Sequence, residues 1–237
     1  MTIEIMNDSD IKEIQKQIAS YTGKTLRHHF GKGPESVYVS LNSSCIVMYM
    51  RNFLAPLEQV VMNQEGIEAV EALRDTLMKQ VLPEIKGFLM TIIDIEKFEF
   101  YFDWTIQSKS GMITGIRKEN AALRENEQLP NFINTIEKVS EISKQAEKEP
   151  NHIYVEQVNP RTLVVVREGI LIRIEKELIA LGHEQTLRIA KRRLEKSLLE
   201  DGEFDKILGV NVHDIFVNWD FDLDKSVIVF ITDPINP

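Results

Sequence analysis

Apolar residues at Ile11, Ile14, Ile18 and Tyr21 recur at spacings of three, four and three, which places them on one face of a helix. Asn7-Asp8-Ser9-Asp10 offers oxygens to cap its start. The helix runs towards Phe30, where Gly31-Lys32-Gly33-Pro34 stops it, because Gly accepts a left-handed cap and Pro cannot continue the hydrogen-bond ladder. Ser36 to Leu41 and Cys45 to Arg51 read as strands, and the turn-prone Asn42-Ser43-Ser44 makes them an antiparallel hairpin. A long helix is predicted from Ala55-Pro56-Leu57-Glu58, with a kink at Gly66. Beyond it Ile67, Val70, Leu73, Leu77 and Val81 form the core face, and Glu68, Glu71, Asp75 and Lys79 the wet one. Phe98, Phe100 and Phe102 then alternate with Glu99, Tyr101 and Asp103 before Trp104, and a return strand near Met112 to Ile116 closes a second hairpin.

The same order comes round again. Phe132, Ile133, Ile136, Val139 and Ile142 form a helix after Pro130, followed by a hairpin of Ile153 to Val158 and Thr162 to Arg167 turned by Asn159-Pro160-Arg161. A long helix passes through Leu178, Leu187, Leu194 and Leu198, and Val212 to Trp219 with Ser226 to Ile231 complete the set. Pro34-Glu35-Ser36-Val37-Tyr38-Val39 is echoed 116 positions on (34 to 150) by Pro150-Asn151-His152-Ile153-Tyr154-Val155. Val47 to Arg51 matches Leu163 to Arg167, and Phe102-Asp103-Trp104 returns as Val217-Asn218-Trp219. An offset that drifts by a residue or so is what duplication followed by divergence leaves. The expected fold class is therefore α+β: two tandem α-β-β-α-β-β modules, each an antiparallel sheet packed against helices, at 1–118 and 130–237. A charged, helix-prone spacer at 119–129 joins them, and the pair is expected to pack as a pseudo-dimer.

Bulk properties narrow the class further. The 237 residues suit two units, each of about 115 residues and large enough to bury a core. At 43% hydrophobic and 27% charged, the composition is that of a globular protein. No apolar run approaches the roughly 20 residues that span a bilayer, and Met1-Thr2-Ile3-Glu4-Ile5 lacks the pattern of a signal peptide. The expectation is a cytoplasmic protein without an integral membrane segment, whose membrane role, if it has one, is peripheral. A net charge of −9 argues against a nucleic-acid partner. The densest basic run, Lys191-Arg192-Arg193 beside Glu195, is expected to be a solvated helix face. A single Cys45 excludes an internal disulfide and reads as a small buried or hairpin-edge residue.

The local candidate for a ligand site is the segment of Arg27, His28, Gly31, Lys32 and Gly33, where two glycines free backbone N–H groups and the basic side chains supply charge for an anion. Against that stands the helix end, whose dipole has the wrong sign for anions, so a helix stop with strand entry is the first reading and an anion site the second. His28 and His29 point apart on a helix and His152, His183 and His213 are scattered, so neither a metal nor another cofactor is expected. Asp220, Asp222 and Asp224 lack the Gly and terminal Glu of a calcium loop and read as a solvated turn. Arg51 and Arg167 end equivalent strands and are expected to anchor a shared structural feature, such as an ion pair to Glu58 or Glu175, in preference to forming a single active site. No nucleophile, base and orienting acid can be assembled, so the chain is not expected to be an enzyme.

Phe30-Gly31-Lys32-Gly33-Pro34 before a valine-rich strand, Leu54-Ala55-Pro56-Leu57-Glu58 opening a helix, Arg74 within it and a closing hairpin together resemble the MpsC family, named for a sodium-translocating membrane-potential-generating system. The resemblance covers most of Ile11 to Ile116, with Pro34, Arg51, Glu58 and Arg74 as its motif residues. The second copy departs from it, with Glu147-Lys148-Glu149-Pro150 in place of the glycine motif, while Ile174-Glu175 keeps the helix-opening Glu. The resemblance implies an accessory or regulatory protein associated with subunits of a membrane complex for cation-coupled or inorganic-carbon transport. Self-association into a homo-oligomer is the other partner expectation. A small-anion or metabolite sensor using the glycine-basic segment is the alternative.

Overall fold

In the computed structural model, which describes residues 7–118 and 130–235, the Asn7 side chain accepts the N–H groups of Ser9 and Asp10 at 3.0 Å and caps α1 (Asp8–Phe30). Gly31 ends that helix in the left-handed region at φ 73°. The hairpin follows as β1 (Ser36–Leu41) and β2 (Cys45–Arg51), with Asn42 Oδ1 accepting the Ser44 and Cys45 N–H groups in the turn. The long helix predicted next is two helices. Gly66, at φ 94°, breaks it into α2 (Pro56–Glu65) and α3 (Ile67–Ile92), because such a backbone conformation interrupts the helical ladder that a kink would only bend. β3 (Phe98–Thr105) and β4 (Ser110–Arg117) close the unit, and the antiparallel sheet runs β1-β2-β4-β3.

The second unit follows as α4 (Pro130–Ala146), β5 (His152–Asn159), β6 (Thr162–Glu168), α5 (Arg173–Ala180), α6 (Glu184–Glu200), α7 (Phe204–Leu208), β7 (Val212–Asp220) and β8 (Lys225–Thr232). Its antiparallel sheet runs β5-β6-β8-β7. Gly182, at φ 81°, divides the helix expected through Leu178 and Leu198, and the short α7 has no counterpart among the expected elements. The chain separates into two compact units, Met1–Glu119 and Asn120–Pro237. The spacer expected at 119–129 lies outside the described residues.

Each sheet packs one face against its own helices. In the first unit Ile46, Met48 and Met50 of β2, Ile113 of β4 and Trp104 of β3 meet Ile18 and Leu26 of α1 and Val70, Met78, Val81, Ile85 and Leu89 of α3. Val70 and Val81 are buried as expected, but between them the stripe runs through Arg74 and Met78 while Leu73 and Leu77 are half-buried, and Asp75, expected on the wet side, is buried. In the second unit Leu163 and Val165 of β6, Val217 and Trp219 of β7 and Ile228 and Phe230 of β8 meet Phe132, Val139 and Ile142 of α4 and Leu187 and Leu199 of α6. The run Lys191-Arg192, expected in solvent, faces inward with Glu195, while Leu194 is exposed.

A single extra residue in the second hairpin changes which strand positions correspond. β1 and β2 pair Val37 with Met50 and Leu41 with Ile46, whereas β5 and β6 pair Ile153 with Arg167 and Gln157 with Leu163, with a bulge between Gln157 and Asn159. The bulge adds one position, so the counterpart of Arg167 is Met50, and that of Arg51 is Glu168. A one-residue shift moves a side chain to the other face of a strand. Arg167 therefore points into the core, and Arg51 points away from it.

Candidate functional site

Arg74 and Glu58 form a buried ion pair at the centre of the first unit. Glu58 sits in the first turn of α2, where its Oε2 accepts the Ala55 N–H at 2.7 Å and so closes the helix start. Arg74 reaches it from α3 as a two-pronged fork, Nε to Oε1 at 2.7 Å and Nη2 to Oε2 at 2.9 Å, and Nη2 also donates to the Phe53 carbonyl at 2.7 Å. The faces of the guanidinium are covered by the rings of Phe53 and Trp104, each 4.7 Å from Cζ, with Phe30 at 5.9 Å. A delocalised, weakly hydrated cation between aromatic rings is the arrangement in which arginine tolerates full burial. Gly111 makes room for it: a Cβ there would lie 2.4 Å from the Trp104 ring.

The second unit solves the same problem differently. Lys191 stands where Arg74 does and Glu175 where Glu58 does, both 117 positions on (74 to 191, 58 to 175). Glu175 again closes its helix, accepting the Ile172 N–H at 2.9 Å. Lys191 Nζ donates to Glu147 and, at 3.0 Å, to Glu175, and lies 3.4 Å from Glu195. Glu195 also accepts from Trp219 Nε1 at 2.9 Å and from Arg167, whose other nitrogens donate to Ser226 at 2.7 Å and Ser143 at 2.9 Å. By burial phase, Thr22, Thr25 and Leu26 of α1 answer to Val139, Ile142 and Ser143 of α4, so Glu147 takes the place of Phe30.

Electrostatics follow from the count of charges. Two cations face three carboxylates, so one carboxylate is in excess. Glu147 carries the consequence: burial, joined by the charge of Glu195, pushes its pKa up to about 7. Burial works against the Lys191 ammonium, yet Glu195, Glu147 and Glu175 outweigh it and hold its pKa above the ordinary value. Burial likewise opposes ionisation of Glu195, and the Arg167 and Lys191 charges override it, leaving that carboxyl below its usual range.

A third polar contact pins α1 to α3. Tyr21, Thr25 and His29, four residues apart along α1, converge on Glu84 at 3.4, 3.1 and 2.9 Å. The hydrogen bond with His29 lowers the Glu84 pKa, and together with those from Thr25 and Tyr21 it outweighs the opposing effect of burial.

The sequence candidates fall into three places. Arg27, His28, Gly31 and Lys32 are exposed at the end of α1, where Lys32 Nζ donates to the Leu54 carbonyl at 3.2 Å. Gly33 and Pro34 are buried, and a Cβ on Gly33 would come within 2.9 Å of the Gly23 oxygen, so this glycine serves a close helix–loop approach. Glu58 and Arg74 are brought together in the core. Arg51 joins neither: it is exposed, and the expected pairing of Arg51 and Arg167 with Glu58 or Glu175 is replaced by Arg74 with Glu58 and Arg167 with Glu195. Cys45 is buried; Asp220 ends β7, and Asp222 and Asp224 lie in the turn that leads to β8. Glu147, Lys191 and Glu195 were missed as a cluster. Their signal was the ladder Leu187, Lys191, Glu195, Leu199, in which two apolar residues bracket two charges on one helix stripe.

Fold and buried centres define a tandem α+β repeat protein whose two units share one scaffold and differ in how they hold a cation in the core. The chain belongs to the MpsC family, described as a Na+-translocating membrane potential-generating system, whose sequence model matches residues 10–119 and 131–234. No curated protein and no solved structure matches the chain.

Proposed function

We propose that this protein is a non-catalytic accessory or regulatory component of a membrane system for cation-coupled or inorganic-carbon transport. The observation that carries the reading is the family match over both units, since the family's description names a Na+-translocating membrane system. No helix among the described residues is long and apolar enough to cross a membrane, so attachment would run through partner subunits. Two features supply a surface for that. Leu57 is 67% exposed at the second position of α2, and Ile174, its counterpart in α5, is 61% exposed. Single exposed apolar residues are ordinary; what supports a use for these two is that the same position of the same helix is apolar and exposed in both units.

The test is affinity capture of the tagged protein from its native host after mild crosslinking and detergent extraction, with mass spectrometry of what accompanies it. Polytopic transport subunits are expected with the wild type, and their recovery should fall in a Leu57→Asp, Ile174→Asp double variant that remains folded. A protein captured without membrane partners would sink the reading.

A further inference from the structure

The outer side of the first hairpin holds an open pocket of about 390 Å³ lined by Glu35, Ser36, Tyr38, Tyr49, Arg51, Asn52 and Ser108. From its chemistry we infer that the pocket binds a small molecule carrying an oxyanion and a planar ring, of the mononucleotide class. Arg51 is exposed, and its guanidinium makes no hydrogen bond or ion pair among the described residues. An unengaged arginine fork in a concave site is suited to two-pronged contact with a phosphate. Tyr38 and Tyr49 are directly paired across β1 and β2, with ring centroids 6.3 Å apart and planes 27° from parallel, and offer a ring an aromatic surface. Glu35 is held by the Asn52 amide at 2.7 Å; its carboxylate is an acceptor for sugar hydroxyls.

The rim is built in advance. Asn52 and Lys109 both take left-handed backbone conformations, at φ 50° and 54°. The Phe53 N–H donates to the Lys109 carbonyl at 2.7 Å and the Glu35 N–H to the Arg51 carbonyl at 3.0 Å, which ties the turn after β2 to the β3–β4 turn and to the entry of β1.

The second unit shows that the fold does not require these side chains. There the counterparts of Arg51, Tyr49 and Lys109 are Glu168, Val166 and Asp224, at the same places of the second sheet: Asn151 N–H donates to Glu168 O at 2.8 Å as Glu35 N–H does to Arg51 O, and Gly169 N–H, one residue earlier than the counterpart of Phe53, donates to Asp224 O at 2.8 Å. Glu168 and Asp224 are engaged with Lys225 and Lys176. The first unit therefore carries two cations where the second carries two carboxylates, in a chain of net charge −9. Among the described residues that line the pocket, Arg51 is the one cation and Glu35, held by the Asn52 amide, the one carboxylate, so an anion there is drawn to the Arg51 end of the pocket.

Ligand binding there is independent of any membrane partner and is measured on the full chain. Isothermal titration with adenosine 5′-monophosphate, with inorganic phosphate and adenosine as separate arms, should give saturable binding of the monophosphate, tighter than either arm and weaker in high salt. Arg51→Glu should weaken it by about tenfold or more, the scale of losing a hydrogen-bonded charge pair, and Tyr49→Val by less, with unchanged thermal midpoints since the second unit folds with those residues. Absence of saturable binding of monophosphate or phosphate would overturn the assignment, as would binding indifferent to Arg51→Glu. Phosphate binding as tightly as the monophosphate, with no effect of Tyr49→Val, would overturn the role of the tyrosines.

Discussion

Arg74 is enclosed by three aromatic rings and one carboxylate, whereas Lys191, at the same place in the second unit, is enclosed by three carboxylates and one ring. The scaffold around them is the same, down to the glutamate that closes the start of the preceding helix. The difference lies in the cation. A guanidinium spreads its charge, satisfies a carboxylate with two parallel bonds and leaves flat faces for rings. An ammonium is a compact, strongly hydrated charge with three donors to satisfy, and in a core only oxygens replace its water. The exchange of Phe30 for Glu147, Met78 for Glu195 and Met50 for Arg167 accompanies the exchange of Arg74 for Lys191, and Gly111 gives way to Ser226, which bonds Arg167. Such a set moves as a group, because any one member alone would leave a buried charge or donor without a partner.

Removing one member is the strongest way to break the comparison. Glu195→Met installs the residue of the first unit and leaves Arg167 and Lys191 short of a carboxylate, so the second unit should lose about 3–5 kcal/mol. Each unit contains one tryptophan, so Trp219 fluorescence in a Trp104→Phe background follows urea unfolding of the second unit alone. A loss below about 1 kcal/mol would show that the network is dispensable.

Arg74→Lys puts the second unit's cation into the first unit's box of rings. It should cost about 2 kcal/mol, through the lost fork and the unsatisfied ammonium, as read from Trp104 in urea. If Arg74→Lys is neutral, the rings do not select for arginine.

Glu147 sharpens the comparison through pH. Its folded pKa of about 7 lies above the ordinary 4.5, so the folded state holds a proton that the unfolded state has released between those values. Stability from this group is complete below about 4.5 and is lost as pH rises towards about 7. Glu147→Gln should flatten that slope in the second unit and leave the first, which has Phe30 at this place, unchanged. Identical pH profiles for wild type and variant would refute the excess-carboxylate account.

The smallest effect belongs to the surface contact. Glu84 has a lowered pKa, so its contribution is present above the ordinary value and disappears as pH falls through the folded one. Glu84→Gln should cost about 0.5 kcal/mol or less, and a loss several times larger would place this contact on a par with the buried pairs.

Some of this was legible in the chain. The first hairpin was read at Ser36–Leu41 and Cys45–Arg51, the bounds the structure has, since alternation and turn residues act over a few positions. Arg51 and Arg167 looked equivalent because five residues align around each, yet the bulge after Gln157 puts them on opposite faces. A bulge needs only one extra residue in a strand of ordinary composition, and nothing in Glu156-Gln157-Val158-Asn159 announces it. Lys191, Arg192 and Glu195 read as a wet face because charges normally are one. Glu58 and Arg74 stood out as motif residues, but their pairing did not, being sixteen positions apart across a helix break.

The duplication, the order of the eight strands and the α+β class are written in the chain, since all three rest on periodicity, caps and turns that neighbouring residues settle among themselves; the breaks in the two long helices and the short α7 are not. The tertiary structure alone decided which charges are buried and with whom. Lys191 becomes a tolerable core residue only when α5, α6 itself and the turn after α4 each bring a carboxylate within reach of one nitrogen, and the cost of desolvating a charge depends on that complete set of partners.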